Sequence, residues 1–296
     1  MKIFVIVVTY NGLVWVDRCF GSLRNAGANV RTIVIDNGST DGTQARIIND
    51  YPEVHFVQSA TNLGFSKANN LGISMADEEG ADYVFLLNQD AWVETNTIQR
   101  LVEVAQRHPE YGVLSPVHLD GTYKALDYGF SIYVTPEACP GFYSDTYLHQ
   151  LKELYEVKFV NAAAWLITKE CIKKVGVLET LFFFYGEDFN YLQRVRFHQL
   201  KIGVVPDCTI CHNREDRKEK TTDAAIKIGE RMKTLMVLLN VLDSFPKCIL
   251  SFIKMRISAI ITSTYKLEFK KMKYDLAEFI YLAGYFNKIK KARKKY

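Results

Sequence analysis

Residues 3–11 read IFVIVVTYN and residues 32–43 read TIVIDNGSTDGT, and these two stretches decide the fold. Each begins with a nearly continuous run of apolar, mostly β-branched residues, which is typical of a parallel strand covered on both faces. Each run stops abruptly at polar residues, and the second leads into a turn signal that predicts a helix from Thr43. The two stretches therefore predict strands whose carboxyl ends carry polar side chains.

The same alternation of apolar runs and helix-length segments continues over the first hundred residues. It indicates βαβ units, and hence an α/β fold with a Rossmann-like, mostly parallel sheet flanked by helices. Ligands of such sheets bind outside the carboxyl ends of the strands. The predicted elements are strands at 3–8, 32–35, 54–57 and 83–87 and helices at 14–25, 43–50 and 66–76.

Beyond residue 115 the pattern changes. Residues 115–157 are rich in Tyr, Gly and Pro and only weakly periodic, which predicts a looped segment over a site. Residues 160–212 form a second ordered block. A polar break follows at 213–223, and a helical run is predicted at 224–242.

The composition is that of a folded chain. Of the 296 residues, 48% are hydrophobic and 24% are charged, which excludes a disordered protein. The most apolar stretch near the C-terminus, 248–265, contains Lys254 and Arg256, so no segment reaches the roughly 20 uncharged residues of a membrane-spanning helix. Because no signal-peptide cleavage pattern follows the first apolar run, we expect a cytoplasmic chain whose six scattered cysteines stay reduced.

The net charge of +4 conceals an uneven distribution. Residues 230–296 contain 15 basic and 5 acidic residues, a net charge of +10, whereas residues 1–229 contain 22 and 28, a net charge of −6. The chain therefore divides into an acidic body and a basic tail. The tail carries two apolar stripes at helical spacing. They are Ile249, Phe252, Ile253, Ile257, Ile260 and Ile261, and then Leu276, Phe279, Ile280, Ala283, Phe286 and Ile289.

Seven short motifs follow one another along the chain. They are VTYN at 8–11, IDNGSTDGT at 35–43, NLGFSKANNLGI at 62–73, LLNQD at 86–90, NAAAWLI at 161–167, YGEDF at 185–189 and VPD at 205–207 before His212. Their order resembles family 2 glycosyltransferases, the inverting, nucleotide-sugar-dependent enzymes with the GT-A fold, and among them the bacterial rhamnosyltransferase-like members. The resemblance covers about residues 3–212. It implies a GT-A nucleotide-sugar glycosyltransferase domain at 1–222 and a basic, amphipathic helical extension at 223–296.

The resemblance implies a nucleotide site at the ends of the first strands. Asp36 would accept the N3–H of a uracil or thymine ring, and Tyr10 would stack on the base. The residues alone also fit an Asx-turn at Asp36 that caps the next helix. The start of the third helix would offer N–H groups to phosphate, although its asparagines also fit simple caps. The nucleotide-binding residues implied in this way are Thr9, Tyr10, Asn11, Asp36, Lys67, Asn69, Asn70 and Gln89.

Asn88-Gln89-Asp90 stands in the place of the family's D-x-D metal signature, with Asp90 as its one anionic residue. The resemblance implies that Asp90 and the neutral imidazole of His212 bind Mg²⁺ or Mn²⁺ at the donor diphosphate. The alternative is a polar turn between a strand and a loop. Cys208, Cys211 and His212 also spell C-x-x-C-H, a haem attachment signal or a zinc half-site. Neither an export signal nor a second cysteine pair supports those readings.

Glu187-Asp188 opens a predicted helix. The resemblance implies that Asp188 is the catalytic base that takes the proton of the acceptor hydroxyl, and that Glu187 and Trp165 bind the acceptor. Acidic residues also favour the first turn of any helix, and Trp165 fits a core position equally well.

The function implied is that of an enzyme of the hexosyltransferase type. It would move a sugar from a UDP- or dTDP-sugar to a hydroxyl of a glycan or lipid-linked saccharide in cell-surface polysaccharide synthesis. A catalytically silent nucleotide-sugar-binding or scaffold protein is the alternative, because the first Asp of D-x-D is missing. A nucleic-acid binder is a third hypothesis, motivated by the basic tail and disfavoured by the acidic body.

The basic amphipathic tail suits the anionic cytoplasmic leaflet, where lipid-linked acceptors of such enzymes reside. We therefore predict a protein that is peripheral on the inner face of the cell membrane. Alternatively, the tail packs its apolar stripes on the catalytic domain or on a second subunit of a homo-oligomer.

Overall fold

A computed structural model of the chain describes residues 1–214, 223–265 and 269–295. Its first four strands pair in parallel in the order β3-β2-β1-β4, so the predicted strands and the α/β fold are confirmed. Helices connect them in the predicted alternation. The elements are β1 (Ile3–Thr9), a 3₁₀ turn (Leu13–Trp15), α1 (Val16–Arg24), β2 (Val30–Asp36), α2 (Thr43–Asp50), β3 (His55–Gln58), α3 (Gly64–Glu78) and β4 (Tyr83–Asn88).

The second half of the body extends the same sheet beyond β4 in the order β8-β6-β9-β5. Strand β8 is antiparallel to β4 and β6, β6 and β9 are parallel, and β5 and β7 pair antiparallel with β9. The elements are β5 (Ala91–Val93), α4 (Thr97–Arg107), β6 (Tyr111–Leu119), α5 (Tyr128–Tyr133), α6 (Phe142–Tyr147), β7 (Tyr155–Glu156), β8 (Ala164–Thr168), α7 (Lys169–Val175), α8 (Glu187–Phe197) and β9 (Lys201–His212).

The segment at 115–157 is more ordered than the sequence predicts. It contains the end of β6, two short helices and β7 rather than loops alone. Short elements of about six residues are too brief to show a helical period, which explains the difference.

The sheet is buried on both faces, which explains why its strands read as continuous apolar runs. In β1, Phe4 and Ile6 belong to one buried cluster, and Val5 and Val7 belong to another on the opposite face. Successive side chains of a strand point to opposite faces, so a strand between two helix layers has no face left for polar residues. Polar residues are therefore placed where the strands end.

Three helices, α9 (Asp223–Leu238), α10 (Phe245–Tyr265) and α11 (Phe269–Arg293), follow the body. They share a third buried cluster with Phe182 of the body, and the Asn190 side chain donates a hydrogen bond to the Leu239 carbonyl at 3.2 Å. The predicted boundary at 222, and most of the polar break before it, lie outside the described residues.

The apolar stripes of the tail are only partly covered. Phe252 and Ile289 are buried, whereas several other members are exposed. Ala283 lies outside the side chains that the structure describes. Across the described part of the chain, no helix has the length and apolar character needed to cross a bilayer. The exposed members are Ile253, Ile257, Ile261, Leu276, Phe279, Ile280 and Phe286.

Candidate active site

A cavity of about 430 Å³ opens beyond the carboxyl ends of β1 and β4. It brings residues from eight separate segments of the sequence to one place. Several residues predicted for the site line it together. Its walls include Tyr10, Asn11, Trp15, Asn37, Phe65, Asn88, Gln89, Asp90, Tyr133, Asn161, Ala162, Ala163, Phe184, Tyr185, Glu187, Asp188, His212 and Arg214.

The start of α8 aims two carboxyl groups into this cavity. Gly186 precedes the helix with φ of 96°, a backbone conformation that glycine adopts without strain. A Cβ atom there would lie 2.9 Å from Phe182 and 3.0 Å from Met236, so the packing also requires glycine. The glycine turn thus connects the tail cluster around Phe182 directly to Glu187 and Asp188.

The environment of the Glu187 and Asp188 carboxyl groups disfavours the state in which both are ionised. Glu187 is 6% exposed, and its Oε2 atom is without a hydrogen-bond partner in the described structure. Burial, together with the neighbouring charge of Asp188, raises the pKa of Glu187 well above its usual range. Burial also raises the pKa of Asp188, although the Phe189 N–H donates to its carboxylate at 2.7 Å. Two such groups side by side favour a single shared negative charge.

Asp90 and His212 meet at the far wall because β5 pairs with β9, with Ala91 opposite His212. The His212 Nε2 atom lies 3.6 Å from Asp90 Oδ1, and Nδ1 lies 3.4 Å from Asp127 Oδ2. A carboxylate behind the second nitrogen is the usual support of a metal-ligating imidazole, so Asp90 and His212 are the residues that could hold a divalent cation here. Over the described residues, no group of three or more His, Cys, Asp or Glu side chains forms a complete metal site.

Asp127 and Arg214 are site residues that sequence reasoning missed. Arg214 Nε lies 2.9 Å from Asp127 Oδ2, and Asp127 also accepts the Phe130 N–H at the start of α5. Although burial alone would raise it, the contacts with His212, Phe130 and Arg214 lower the pKa of Asp127 to about 2. The sequence signal that could have indicated Arg214 is its position two residues after His212, the last residue of β9.

Asp36 and Thr9 are buried and are not among the residues that line the cavity. Asp36 is fully buried and accepts hydrogen bonds from the Thr9 hydroxyl at 2.9 Å, the Ser39 N–H at 2.9 Å and the Gln44 amide at 3.1 Å. The Asx-turn interpretation therefore describes what this carboxylate does within the protein. Its contact with a pyrimidine base stays a prediction.

Tyr10, Asn11 and Gln89 line the cavity. The Gln89 side chain accepts the Tyr10 N–H at 2.9 Å and donates to the Tyr10 carbonyl at 3.2 Å. It thus pairs with the Tyr10 backbone as a neighbouring strand would. Tyr10 is 43% exposed, so its ring is available to a ligand.

Lys67, Asn69 and Asn70 lie outside the cavity, which corrects their predicted placement at phosphate. Helix α3 begins at Gly64, so these residues lie beyond its first turn. Their backbone N–H groups are already bonded within the helix and cannot be offered to phosphate. The Asn69 side chain donates to the Phe65 carbonyl at 3.0 Å. Asn70 bonds both the N–H and the carbonyl of Leu178, and Lys67 is exposed.

Trp165 also needs correction as an acceptor platform. It is fully buried in β8, and its ring stacks on Tyr191 with 5.9 Å between centroids. The side chain belongs to the core of the body and does not reach the cavity. The core interpretation of this tryptophan is the one that the structure supports.

Comparison with known proteins agrees with this architecture. The family model described as "Glycosyl transferase family 2" matches residues 4–176. A relative named N-acetylglucosaminyl-diphospho-decaprenol L-rhamnosyltransferase, from Mycobacterium tuberculosis, is 25% identical over 71% of this chain and 75% of its own length. A dTDP-rhamnosyl transferase, RfbF of Shigella flexneri, is 22% identical over 77% of this chain and 74% of its own.

Solved structures share the fold. S. aureus TarS residues 1–349 with UDP-GlcNAc superpose with a TM-score of 0.60 and 17% identity, over 95% of this chain and 81% of that one. The chain spans 43% of the longer S. aureus TarS structure. GalNAc-T7 with UDP, GalNAc and Mn²⁺ gives a TM-score of 0.57 at 15% identity, over 79% of this chain and 50% of that one. At these identities the likeness shows the fold.

Proposed function

Since the chain belongs to glycosyl transferase family 2, we propose that it is an inverting enzyme of cell-surface polysaccharide synthesis. It transfers a sugar from a UDP- or dTDP-sugar to a hydroxyl of a glycan or lipid-linked saccharide. The observation that carries this proposal is a single cavity lined by Asp188 on one wall and by Asp90 and His212 on another. The names of the rhamnosyltransferase relatives support the choice of substrates.

In this mechanism Asp188 is the base. Its carboxylate takes the proton of the acceptor hydroxyl while that oxygen forms a bond to the anomeric carbon from the face opposite the nucleotide. The bond between the anomeric carbon and the diphosphate oxygen breaks, and its electron pair stays on the diphosphate. Glu187, whose pKa is raised by burial and by the neighbouring Asp188 charge, holds a proton beside this base and can donate a hydrogen bond to the acceptor sugar.

Asp90 and His212 would hold the divalent cation, and Asp127 keeps the imidazole oriented through its second nitrogen. A bound Mg²⁺ or Mn²⁺ would offset negative charge on the diphosphate.

The base of the nucleotide is proposed to lie against Tyr10. Asp36 would accept the pyrimidine N3–H in place of the Gln44 amide, which now lies 3.1 Å from its Oδ2 atom. Gln44 is half-buried at the start of α2 and also bonds the Ser39 carbonyl at 2.6 Å, so it has a second partner when it yields the carboxylate.

The tail is proposed to hold the protein at an anionic membrane surface. Helices α10 and α11 carry exposed apolar side chains, and α11 carries exposed lysines near its C-terminal end. Apolar burial and charge attraction together drive such interfacial binding. Binding of a second subunit by the same stripes is the competing proposal, and sedimentation with and without vesicles separates the two.

The central experiment is a donor panel. Purified protein is incubated with UDP- and dTDP-sugars, with and without Mn²⁺, and release of the nucleoside diphosphate is measured. We expect metal-dependent release from one donor class and inverted configuration of the product by NMR. Thermal-shift binding of a nucleotide sugar without turnover toward water or any saccharide would instead support the silent binding protein.

A further inference from the structure

The cavity has an unbalanced charge. Asp90 and the Glu187–Asp188 pair, which shares one negative charge, line it, and among its described lining residues Arg214 is the only lysine or arginine. A nucleoside diphosphate would add further negative charge to this acidic cleft. Placing like charges together in a partly buried site is unfavourable unless cations are supplied. Lys67, which the sequence offered as such a cation, is exposed and does not line the cavity.

Arg214 is held in a defined position. Its Nε atom donates to Asp127 Oδ2 at 2.9 Å. Asp127 is itself 2% exposed and anchored at the start of α5, so it fixes the guanidinium against the Asp90–His212 wall. The Arg214 side chain is 36% exposed, and Arg214 lines the cavity. Tyr133 also bonds the Arg214 side chain. A planar guanidinium anchored through Nε still has terminal N–H groups that suit phosphate oxygens.

We propose that Arg214 binds the diphosphate of the nucleotide-sugar donor and is a catalytic residue of this chain. The inference rests on the proposed function. When the bond to the anomeric carbon breaks, its electron pair stays on the β-phosphate oxygen, and the Arg214 N–H groups stabilise the negative charge that develops there. Arginine stays protonated throughout, so it supplies charge and hydrogen bonds and no proton.

A purely structural role for Arg214 makes a different prediction. The buried Asp127 carboxylate needs a positive neighbour, and Arg214 provides one. If that were its whole contribution, removing the guanidinium would lower the melting temperature and weaken all ligands alike. If Arg214 binds phosphate, its removal should instead weaken the binding of a nucleoside diphosphate more than that of the nucleoside, which has no phosphate to contact.

The test compares ligands with and without phosphate. UDP, dTDP, uridine and thymidine are titrated calorimetrically into wild-type protein and into Arg214→Gln and Arg214→Lys variants, with Mn²⁺ present. We expect Arg214→Gln to weaken the bound diphosphate about 10- to 100-fold, the range for hydrogen bonds to charged groups, while the matching nucleoside changes less than about twofold. Arg214→Lys should lie between, because lysine keeps the charge and loses the planar guanidinium.

Arg31→Gln is the matched control. Arg31 also pairs with a carboxylate, Glu79 at 2.6 Å, but lies on the surface away from the cavity. If wild-type protein binds UDP or dTDP and Arg214→Gln binds it equally tightly, the role of Arg214 is overturned while the proposed function stands. Equal weakening of diphosphate and nucleoside by Arg214→Gln overturns it too, in favour of the structural role. Wild-type protein that binds neither nucleoside diphosphate overturns the proposed function and this inference with it.

Discussion

The acidic body buries polar side chains, whereas the basic tail exposes apolar ones. The body buries polar groups such as Asp36 and Asp127 and satisfies them within loops at strand ends. The tail keeps apolar residues such as Ile257 and Ile280 exposed, at 51% and 65%, and carries exposed lysines near its C-terminal end. We therefore expect the site in the body to depend on the identity of particular residues. Surface binding by the tail should depend on the combined contribution of many similar residues. Single substitutions should therefore be decisive in the body and gradual in the tail.

The largest effect is expected for Asp188→Asn. The amide preserves size and hydrogen bonding but lacks the basic carboxylate, so sugar transfer should fall about 10²–10⁴-fold. Binding of UDP or dTDP with Mn²⁺ should persist. Steady-state transfer rates and calorimetric titration measure the two quantities on the same sample.

Asp90→Ala gives the contrasting result in the same assays. Loss of this carboxylate should weaken nucleotide binding in Mn²⁺ and leave binding in EDTA unchanged. Identical binding defects in Asp90→Ala and Asp188→Asn would show that the base has been misplaced.

Asp36→Ala should weaken UDP or dTDP binding by roughly 1.5–3 kcal/mol, the range for a hydrogen bond to a charged group. It should also lower the melting temperature, because the Thr9 hydroxyl and the Ser39 N–H lose their shared acceptor. Gln44→Ala is the matched control, since it removes one donor to Asp36 and keeps the carboxylate. Unchanged affinity in Asp36→Ala would leave Asp36 with turn chemistry only.

For the tail, replacing Lys290 and Lys291 with Gln should weaken binding to phosphatidylserine vesicles about 30-fold, at about 1 kcal/mol for each lysine near the surface. The control replaces Lys173 and Lys174, two exposed lysines on α7 of the body, and changes the charge by the same amount. Vesicle co-sedimentation reports the difference. Equal weakening by both pairs would mean that net charge acts without a dedicated surface.

The smallest effect concerns pH. Burial and the Asp188 charge raise the pKa of Glu187, so the folded chain holds this proton more tightly than the unfolded chain does. That contribution stabilises the fold at low pH and is lost as pH rises above the ordinary glutamate range toward the raised value. Glu187→Gln should therefore melt higher than wild type at pH 8, with the difference shrinking toward pH 5. A constant difference across this range would contradict a raised pKa.

The parts of the fold that the sequence predicted are those in which one physical rule dominates. Continuous apolar runs predicted β1, β2 and β4, because both faces of these strands are buried. The ends of those strands, together with the motif order, placed Tyr10, Asp90 and Asp188 in one region, and they do line one cavity.

The errors arose where side-chain direction or distant pairing decides. Asn70 and Trp165 stand in matching motifs, but α3 starts early enough to turn Asn70 toward Leu178, and β8 directs Trp165 to the core. Arg214 and Asp127 escaped notice because their pairing spans 87 positions and depends on where two loops meet. Spacing along a chain does not encode such a contact.

The pairing of β5 with β9 has a consequence for how the protein is made. Ala91 lies opposite His212, so Asp90 and His212 become neighbours only after the last strand has joined the sheet. During synthesis the nucleotide-base side of the cleft can form from the first four strands, while the cation side waits for a contact across more than a hundred residues. Closing so long a loop is entropically costly and slow. We therefore expect the protein to become able to bind its complete ligand only in the last step of folding, when β9 joins the sheet.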